Sequence, residues 1–248
     1  MKAMKFFILT AFLFLCGCVA PQYLYEKKYI LYDDGPVNSY VSGLEEEYPE
    51  EFKMVHRVLL TVYGYQYDFT GYFSRDGKDS FKGVAFGDMG GKIFEISVEK
   101  NKKELLYKPD AIPEGPLLDG MIDDLKFLYV ERNFDTAFVV EQSEIHRDLV
   151  STRDWKNFNV YMFRKNSICP DEALSVKDGE IFRTVVFSDY RCFGDRLVPA
   201  KIRVHNYRWN YQFEIKLLKL VSETKTENGF DEAKPSTDNL QTGGVDER

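Results

Sequence analysis

Between residues 53 and 108, apolar and polar residues alternate along the chain with a period of two. Val58, Leu60 and Val62 begin this pattern, and aromatic residues continue it from residue 65 to residue 73. A period of two places successive side chains on opposite faces of a β-strand. The pattern therefore predicts about four or five consecutive antiparallel strands, joined by short turns as a meander.

Two turn signals divide this meander. Asp76-Gly77 supplies the positive φ angles of a tight hairpin turn, and a strand at residues 80–86 follows it. The glycine-rich segment 87–91 predicts a second turn, which leads into strands at residues 92–99 and 104–108.

Three segments depart from this period. Residues 38–47, or a later turn that begins at Pro49, predict a short helix before the meander. Residues 116–130 predict a second helix with an apolar stripe, and its acidic residues Asp119, Asp123 and Asp124 are expected on the solvated face. Residues 141–149 predict a weaker helix or an irregular segment.

Strands resume in the second half, at residues 157–163, 181–190 and 200–206. The clearest alternation of the chain follows from Tyr211 to Leu217. The turn at residues 207–210 carries local positive charge beside aromatic rings. It predicts either a plain hairpin loop or a contact with lipid headgroups.

The N-terminus has the features of an export signal. Lys2 and Lys5 precede an apolar run at residues 6–15, which is too short to span a bilayer as a helix. The run ends in Leu15-Cys16-Gly17-Cys18, which resembles the lipobox of bacterial lipoproteins. The resemblance makes Cys18 the lipidated first residue of the mature chain. The alternatives are an ordinary signal peptide that contains a cysteine and a short buried helix.

These features divide the chain into a signal peptide (1–17), a tether (18–44), one folded domain (45–221) and an acidic tail (222–248). The tail is too polar to offset the entropy of ordering, so we expect it to be disordered. An interaction motif in the tail is the alternative. Val19 follows the lipidated cysteine, and by the sorting rule of enteric bacteria it favours the outer membrane, facing the periplasm.

The cysteines and the net charge limit which disulfide and which partners are expected. If Cys16 is removed and Cys18 is lipidated, two of the four cysteines remain. In an exported chain, Cys169 and Cys192 form either a disulfide or two separately buried thiols. The net charge of −7 argues against nucleic acid as a partner.

The chain shows no motif that indicates catalysis, a metal or a cofactor. His56, His146 and His205 lie far apart in the sequence and have no metal-ligand spacing. The segment 87–93 fails as a phosphate-binding loop, because Phe86 replaces its first glycine and Ile93 replaces its hydroxyl residue. We therefore expect a non-enzymatic protein.

The order of these elements is similar to that of the LolA/LolB-like superfamily of lipoprotein localisation factors, and in particular to uncharacterised bacterial lipoproteins within it. Three segments carry the resemblance: residues 87–96, the helix entry at 113–118 and the closing strands at 202–215. The resemblance covers residues 45–221. It implies an α+β, mainly β fold: a strongly curved antiparallel sheet, an incomplete barrel, with helices over its open side.

The resemblance also implies a function, because LolA-like barrels hold lipoprotein acyl chains in an apolar cavity under a helical lid. Aromatic residues make up 15% of the chain, and an aromatic inner face needs either a ligand or its own lid against it. The alternative is therefore a lipid-anchored structural or protein-interaction module with a self-filled barrel. The residues expected on the inner face, as cavity lining or as ordinary core, are Tyr67, Phe69, Phe73, Phe94, Ile96, Val98, Phe213 and Ile215.

Overall fold

The structure is a computed structural model. It describes residues 34–45, 47–77, 80–100, 102–108, 110, 116–130, 134, 136–141, 146–154, 156–164, 166–194 and 196–222. The predicted signal peptide, the lipidation site Cys18, the first part of the predicted tether, and the tail beyond residue 222 lie outside these residues.

The described residues form two helices and one antiparallel sheet of twelve strands. Helix α1 is Asp34–Glu45, and helix α2 is Ile122–Tyr129, which continues directly from a π-helical segment, Pro116–Met121. The strands are β1 (Glu51–Val62), β2 (Tyr65–Asp76), β3 (Ser80–Phe86), β4 (Lys92–Glu99), β5 (Lys102–Tyr107), β6 (Ala137–Glu141), β7 (His146–Asp154), β8 (Asn157–Arg164), β9 (Pro170–Lys177), β10 (Glu180–Phe193), β11 (Arg196–Asn206) and β12 (Tyr211–Ser222).

The first and last strands meet at the centre of the sheet. The strand order is β5-β4-β3-β2-β1-β12-β11-β10-β9-β8-β7-β6, so β1 pairs with both β2 and β12. Strands β5 and β6 are the two edges, and within the described residues they do not pair with each other. The sheet is therefore an open barrel, and the connection between its edges contains α2.

Contacts of α2 demonstrate how strongly the sheet curves. The ring of Tyr129 lies 5.1 Å from that of Phe73 on β2, and the ring of Phe127 lies 5.7 Å from that of Tyr161 on β8. Six strand spacings separate β2 from β8, which would be about 29 Å in a flat sheet. An eight-residue helix is only about 12 Å long, so one helix touches both strands because the sheet wraps around it.

The concave face of this sheet carries the main core. Side chains of the alternating strands meet those of α2 there, as the period-two pattern predicted. Helix α1 closes another part of the core, where the ring of Tyr40 lies 4.6 Å from that of Phe163. Because α1 begins at Asp34, the packed region starts within the segment predicted as tether.

The sequence prediction was wrong at residues 141–149 and missed β6 and β9. Residues 146–149 belong to strand β7, and β6 ends at Glu141. The physical reason is burial on both faces: Leu149 joins the main core, whereas its neighbour Val150 packs with Leu174 and Val176 in a second cluster. Strands that are buried on both faces do not alternate between apolar and polar residues.

The prediction for Asp124 was also wrong. Its neighbours Asp119 and Asp123 are exposed, but Asp124 is completely buried. The face of α2 that contacts the concave sheet is wider than its apolar stripe. It includes Asp124, which binds buried polar partners on the strands.

Candidate functional site

The structure places the predicted inner-face residues on the concave side of the sheet. Tyr67 is half-buried and packs against the main core. The other seven are buried members of that core: Phe69, Phe73, Phe94, Ile96, Val98, Phe213 and Ile215.

A small apolar gap separates α2 and its π-helical segment from the strands. Its volume is about 50 Å³, and its floor is formed by strands β1 to β4 and β12. Five of the predicted residues line it, whereas Tyr67, Ile96 and Val98 do not. The complete lining is His56, Val58, Phe69, Gly71, Tyr72, Phe73, Gly83, Val84, Phe94, Met121, Leu125, Phe213 and Ile215.

Two glycines create the space for this gap. Gly71 on β2 lies opposite Ala85 on β3, and Gly83 on β3 lies opposite Phe73 on β2. The three small residues, Gly71, Ala85 and Gly83, therefore lie close together where β2 pairs with β3. A Cβ atom on Gly71 would lie 3.6 Å from Val58, an ordinary contact, so a side chain there has room. A glycine inside a strand signals a close approach of other groups, and this signal was available in the sequence.

One end of α2 is held by strand β2 and by aromatic rings. The Arg75 Nη1 donates a hydrogen bond of 3.2 Å to the carbonyl oxygen of Tyr129, the last residue of the helix. A cation at this position also interacts favourably with the negative end of the helix dipole. The ring of Tyr129 packs edge-on against Tyr48 at 5.1 Å and stacks on His56 at 5.6 Å.

The start of α2 is held by a buried ionic network. The Asp124 Oδ1 accepts a hydrogen bond of 2.9 Å from the Arg183 guanidinium on β10, and its Oδ2 accepts one of 2.6 Å from the Tyr211 hydroxyl on β12. Asn206 on β11 also donates to this carboxylate, at 3.2 Å. Three strands and the helix therefore share one carboxylate.

Arg183 uses its remaining groups within the same region. Its Nη2 donates to the Ser175 hydroxyl at 2.8 Å, and its guanidinium lies 3.8 Å above the centre of the Phe127 ring. Burial raises the pKa of Asp124, and the guanidinium of Arg183 opposes that rise. Burial also raises the pKa of Tyr211, so its hydroxyl is protonated and donates to Asp124.

Gly120 lets the π-helical segment approach the sheet at the same point. A Cβ atom there would lie 2.7 Å from the indole of Trp209 and 2.8 Å from the Tyr211 hydroxyl. Real Cβ atoms do not make such contacts, so glycine is required for the helix to begin this close to β12.

His56 is buried and lines the gap, although it was not among the residues predicted from the sequence. It is 5% exposed, and its Nε2 lies 3.4 Å from the Tyr129 hydroxyl. Burial lowers the pKa of His56 to about 3, so the ring is neutral near pH 7. His56 lies two residues after Met54 and two residues before Val58, at a buried position of β1. The alternation of this strand could therefore have placed His56 on the inner face from the sequence alone.

A larger and more polar cleft lies on the other side of α2. Its volume is about 450 Å³, and its walls combine charges of both signs, including Asp119, Lys177 and Arg208, with the rings of Phe127 and Trp209. A third cavity of about 290 Å³ lies where β1 begins, between Lys53 and Glu99. Neither cavity has an apolar lining suited to an alkyl chain.

The other sequence-selected residues lie apart from the gap. Cys169 is half-buried and Cys192 is exposed, and both are free thiols in the structure; their disulfide stays a prediction. Burial raises the pKa of the Cys169 thiol to about 11. Within the described ranges, no three His, Cys, Asp or Glu residues are grouped so that they could hold a metal ion.

The segment 87–91 forms the predicted turn. The Gly90 amide donates to the Gly87 carbonyl oxygen at 2.8 Å, and Asp88 pairs with Arg57 at 2.7 Å. Met89 at its tip is fully exposed. Residues 207–210 form the turn between β11 and β12, as predicted.

In the described part of the chain, neither helix has the length and apolar character needed to cross a membrane. No family model matches the chain, and no curated protein matches it. The fold itself has similar solved structures.

A LolA superfamily protein from Nitrosomonas europaea superposes with a TM-score of 0.53 at 10% identity, over 75% of this chain and 93% of that chain. A DUF1329 family protein from Desulfovibrio piger gives 0.46 at 10% identity, over 76% and 92%. A lipoprotein-sorting domain from Vibrio parahaemolyticus gives 0.44 at 10% identity, over 77% and 93%. The first of these similarities, together with the open twelve-stranded sheet, confirms the predicted resemblance at the level of the fold: the chain has the LolA-like fold.

Proposed function

We propose that this protein is a membrane-anchored, non-enzymatic carrier that binds an acyl chain of a lipid or lipoprotein between α2 and the concave sheet. The apolar gap at Gly71 and Gly83 carries this proposal, because it marks the place where the helix and the strands do not fill the barrel completely. The LolA-like fold supports it, since the family resemblance implies acyl chains held under a helical lid.

The size of the gap indicates how binding occurs. A gap of about 50 Å³ is well below the 300–1,000 Å³ typical of ligand pockets. An acyl chain therefore enters only when α2 and the π-helical segment before it move away and withdraw Leu125 and Met121 from the strands. In this proposal α2 acts as the lid of the carrier.

Filling the gap should block binding without harming the fold. In Gly71→Leu, the new side chain would occupy the gap, and its Cβ meets only ordinary contacts. We expect the binding of a fluorescent fatty acid to weaken at least about tenfold, which corresponds to about 1.4 kcal/mol. The dissociation constant is measured by titration, and thermal unfolding checks the fold.

Thr70→Leu is the matched control, because Thr70 precedes Gly71 on the same strand and faces away from the gap. This variant should bind the fatty acid as the wild type does. Equal binding by all three proteins would place the ligand elsewhere and contradict the proposed cavity.

The small size of the gap also favours a second function. The side chains of Met121, Phe127 and Leu128 are buried inside the barrel and leave only about 50 Å³ unfilled. A permanently self-filled barrel would make the protein a lipid-anchored interaction module of the cell envelope. If the wild type takes up no fatty acid or other apolar probe, this second function replaces the first.

The anchor is the second part of the proposal. The lipobox resemblance supports a diacylglyceryl group on Cys18, and Val19 supports a location in the outer membrane, facing the periplasm. A single acyl chain gives only marginal membrane binding, whereas two or more chains on one cysteine give stable attachment.

Cys18→Ser should release the mature protein from the membrane fraction, because serine has no thiol to accept the lipid. Fractionation of cells that express the variant and the wild type measures this change. Cys16→Ser is the control, since Cys16 lies in the segment that the peptidase removes. Unchanged membrane association of Cys18→Ser would contradict lipidation.

A further inference from the structure

Two neighbouring hairpin tips at one end of the sheet expose tyrosine side chains. Tyr63 and Tyr65, at the β1–β2 tip, are 54% and 69% exposed, and Tyr207, at the β11–β12 tip, is 50% exposed. The register pairs Val62 with Tyr211, so the two tips lie side by side. We call Tyr63, Tyr65 and Tyr207 the tyrosine rim.

The backbone at Tyr63 is unfavourable for a tyrosine. Tyr63 has a φ of 50° and Gly64 a φ of 81°, which is the pattern of a two-residue type I′ turn. Such turns favour asparagine or aspartate at the first position, and a bulky residue with positive φ is an outlier. The β9–β10 turn has the same pattern, with φ values of 57° and 85°, and there the residues are Asp178 and Gly179.

Packing does not account for this tyrosine. Among the described residues, the side chains of Tyr63 and Tyr65 form no hydrogen bond, ion pair or ring contact. Tyr207, in contrast, stacks on His205 at 4.1 Å, which holds its ring at the surface. A strained residue that contributes nothing to the core points to a role at the surface.

The chemistry of the rim fits the surface of a lipid bilayer. Tyrosine combines an apolar ring with a hydroxyl group, and tyrosine and tryptophan are enriched where a bilayer meets water. Trp209 and the cation Arg208 lie in the same hairpin tip as Tyr207, and Arg208 lies 5.8 Å from the Trp209 ring. The nearest acid on β2, Asp68, pairs with Arg57 at 2.6 Å, and Arg57 also pairs with Asp88 at 2.7 Å.

We propose that the tyrosine rim seats in the headgroup region of a lipid bilayer and turns this end of the barrel towards the membrane. The rim rises from separate convex tips rather than from a groove, which suits a fluid surface better than a folded partner. The segment from Cys18 to Asp34 can extend about 50 Å, more than the roughly 40 Å of a twelve-residue strand. An anchor at Cys18 therefore allows this end to reach the same membrane.

This orientation also matters for the lid. Trp209 and Tyr211 contact the position of Gly120, where the helical segment leading into α2 approaches the sheet. A rim in the headgroups would place the start of the lid beside the bilayer from which an acyl chain comes. This last step rests on the proposed carrier function, whereas the seating of the rim does not.

Depth-dependent quenching tests the rim. The full chain is reconstituted in phosphatidylcholine vesicles, with or without brominated acyl chains, as Tyr65→Trp or as Leu218→Trp. Leu218 is the control, because it is 51% exposed but lies in the second half of β12, away from the hairpin tips and outside the gap. After subtraction of the wild-type signal, we expect bromine to quench the tryptophan at position 65 several-fold more than that at position 218.

Equal quenching at both positions would overturn the proposal, whether or not the gap binds fatty acids. A second substitution, Tyr63→Asn, separates the rim from the fold. Because asparagine suits the turn, the melting temperature should rise while the quenching at position 65 falls. A melting temperature that does not rise, or quenching that does not change, would contradict the role assigned to Tyr63.

Discussion

Replacing Asp124 with alanine should lower the free energy of unfolding by about 3–5 kcal/mol, because the variant leaves a buried guanidinium without its counter-ion. Arg183 is 5% exposed, so its charge is largely removed from solvent and depends on Asp124 as its counter-ion. The Tyr211 hydroxyl and the Asn206 amide also lose their shared acceptor. Urea denaturation measures the effect, and an unchanged m-value shows that both proteins unfold from comparable structures.

Asp123→Ala is the matched control, since it removes the neighbouring carboxylate of the same helix. Asp123 is 53% exposed and pairs with Lys103 at 2.7 Å on the surface. Exposed pairs contribute about 0–1 kcal/mol, so this variant should remain close to the wild type. Similar losses for both variants would contradict the assigned network.

A double substitution distinguishes the charge from the packing. Asp124→Leu with Arg183→Met removes both charges and keeps apolar volume between α2 and β10. Replacing a buried ion pair by apolar residues is often neutral or stabilising. The double variant should therefore be more stable than Asp124→Ala; if it is not, the loss comes from the hydrogen bonds to Tyr211 and Asn206.

The protein should lose stability as the pH falls from 6.5 towards 3, by up to about 1.4 kcal/mol per pH unit from His56 alone. The folded pKa of His56 is about 3, below the ordinary value of 6.5. In this window the unfolded chain therefore binds a proton that the folded protein does not bind. Protonation favours the unfolded state, and the loss is complete once the pH is below the folded value.

His56→Gln isolates this effect, because glutamine fits a similar space and does not titrate. The difference in unfolding free energy between wild type and variant should change with pH between 6.5 and 3 and remain constant above that window. Urea denaturation at several pH values measures it. Parallel pH profiles of the two proteins would show that His56 is not buried in neutral form.

Elements with one solvated face could be predicted from the sequence. In strands β1 to β3 and β12, buried residues alternate with more exposed ones, because only the inner faces meet the core. Helix α2 was predicted from its apolar stripe. Strand β9 was not, because four consecutive residues are buried, from Ala173 to Val176, and two-sided burial hides the period.

The candidate site was predictable only in part for the same physical reason. Large apolar residues on the inner face, such as Phe69 and Phe213, follow from the period of the strands. The shape of the gap depends on absent side chains at Gly71 and Gly83 and on the closeness of α2, which are tertiary properties. Asp124 resembles Asp123 in sequence, and it differs only through partners on distant strands, such as Arg183, 59 residues away.

The pairing of the first and last strands at the centre of the sheet has a consequence for the rate of folding. Phe52 on β1 pairs with Ser222 on β12, so the central ladder closes a loop that contains nearly the whole domain. Such distant contacts make folding slow, because the entropy of loop closure is lost before the contacts form. Because a chain is synthesised from its N-terminus, one edge of β1 would remain unpaired until β12 arrives. This interval would be the period in which the protein is most exposed to aggregation and in most need of a chaperone.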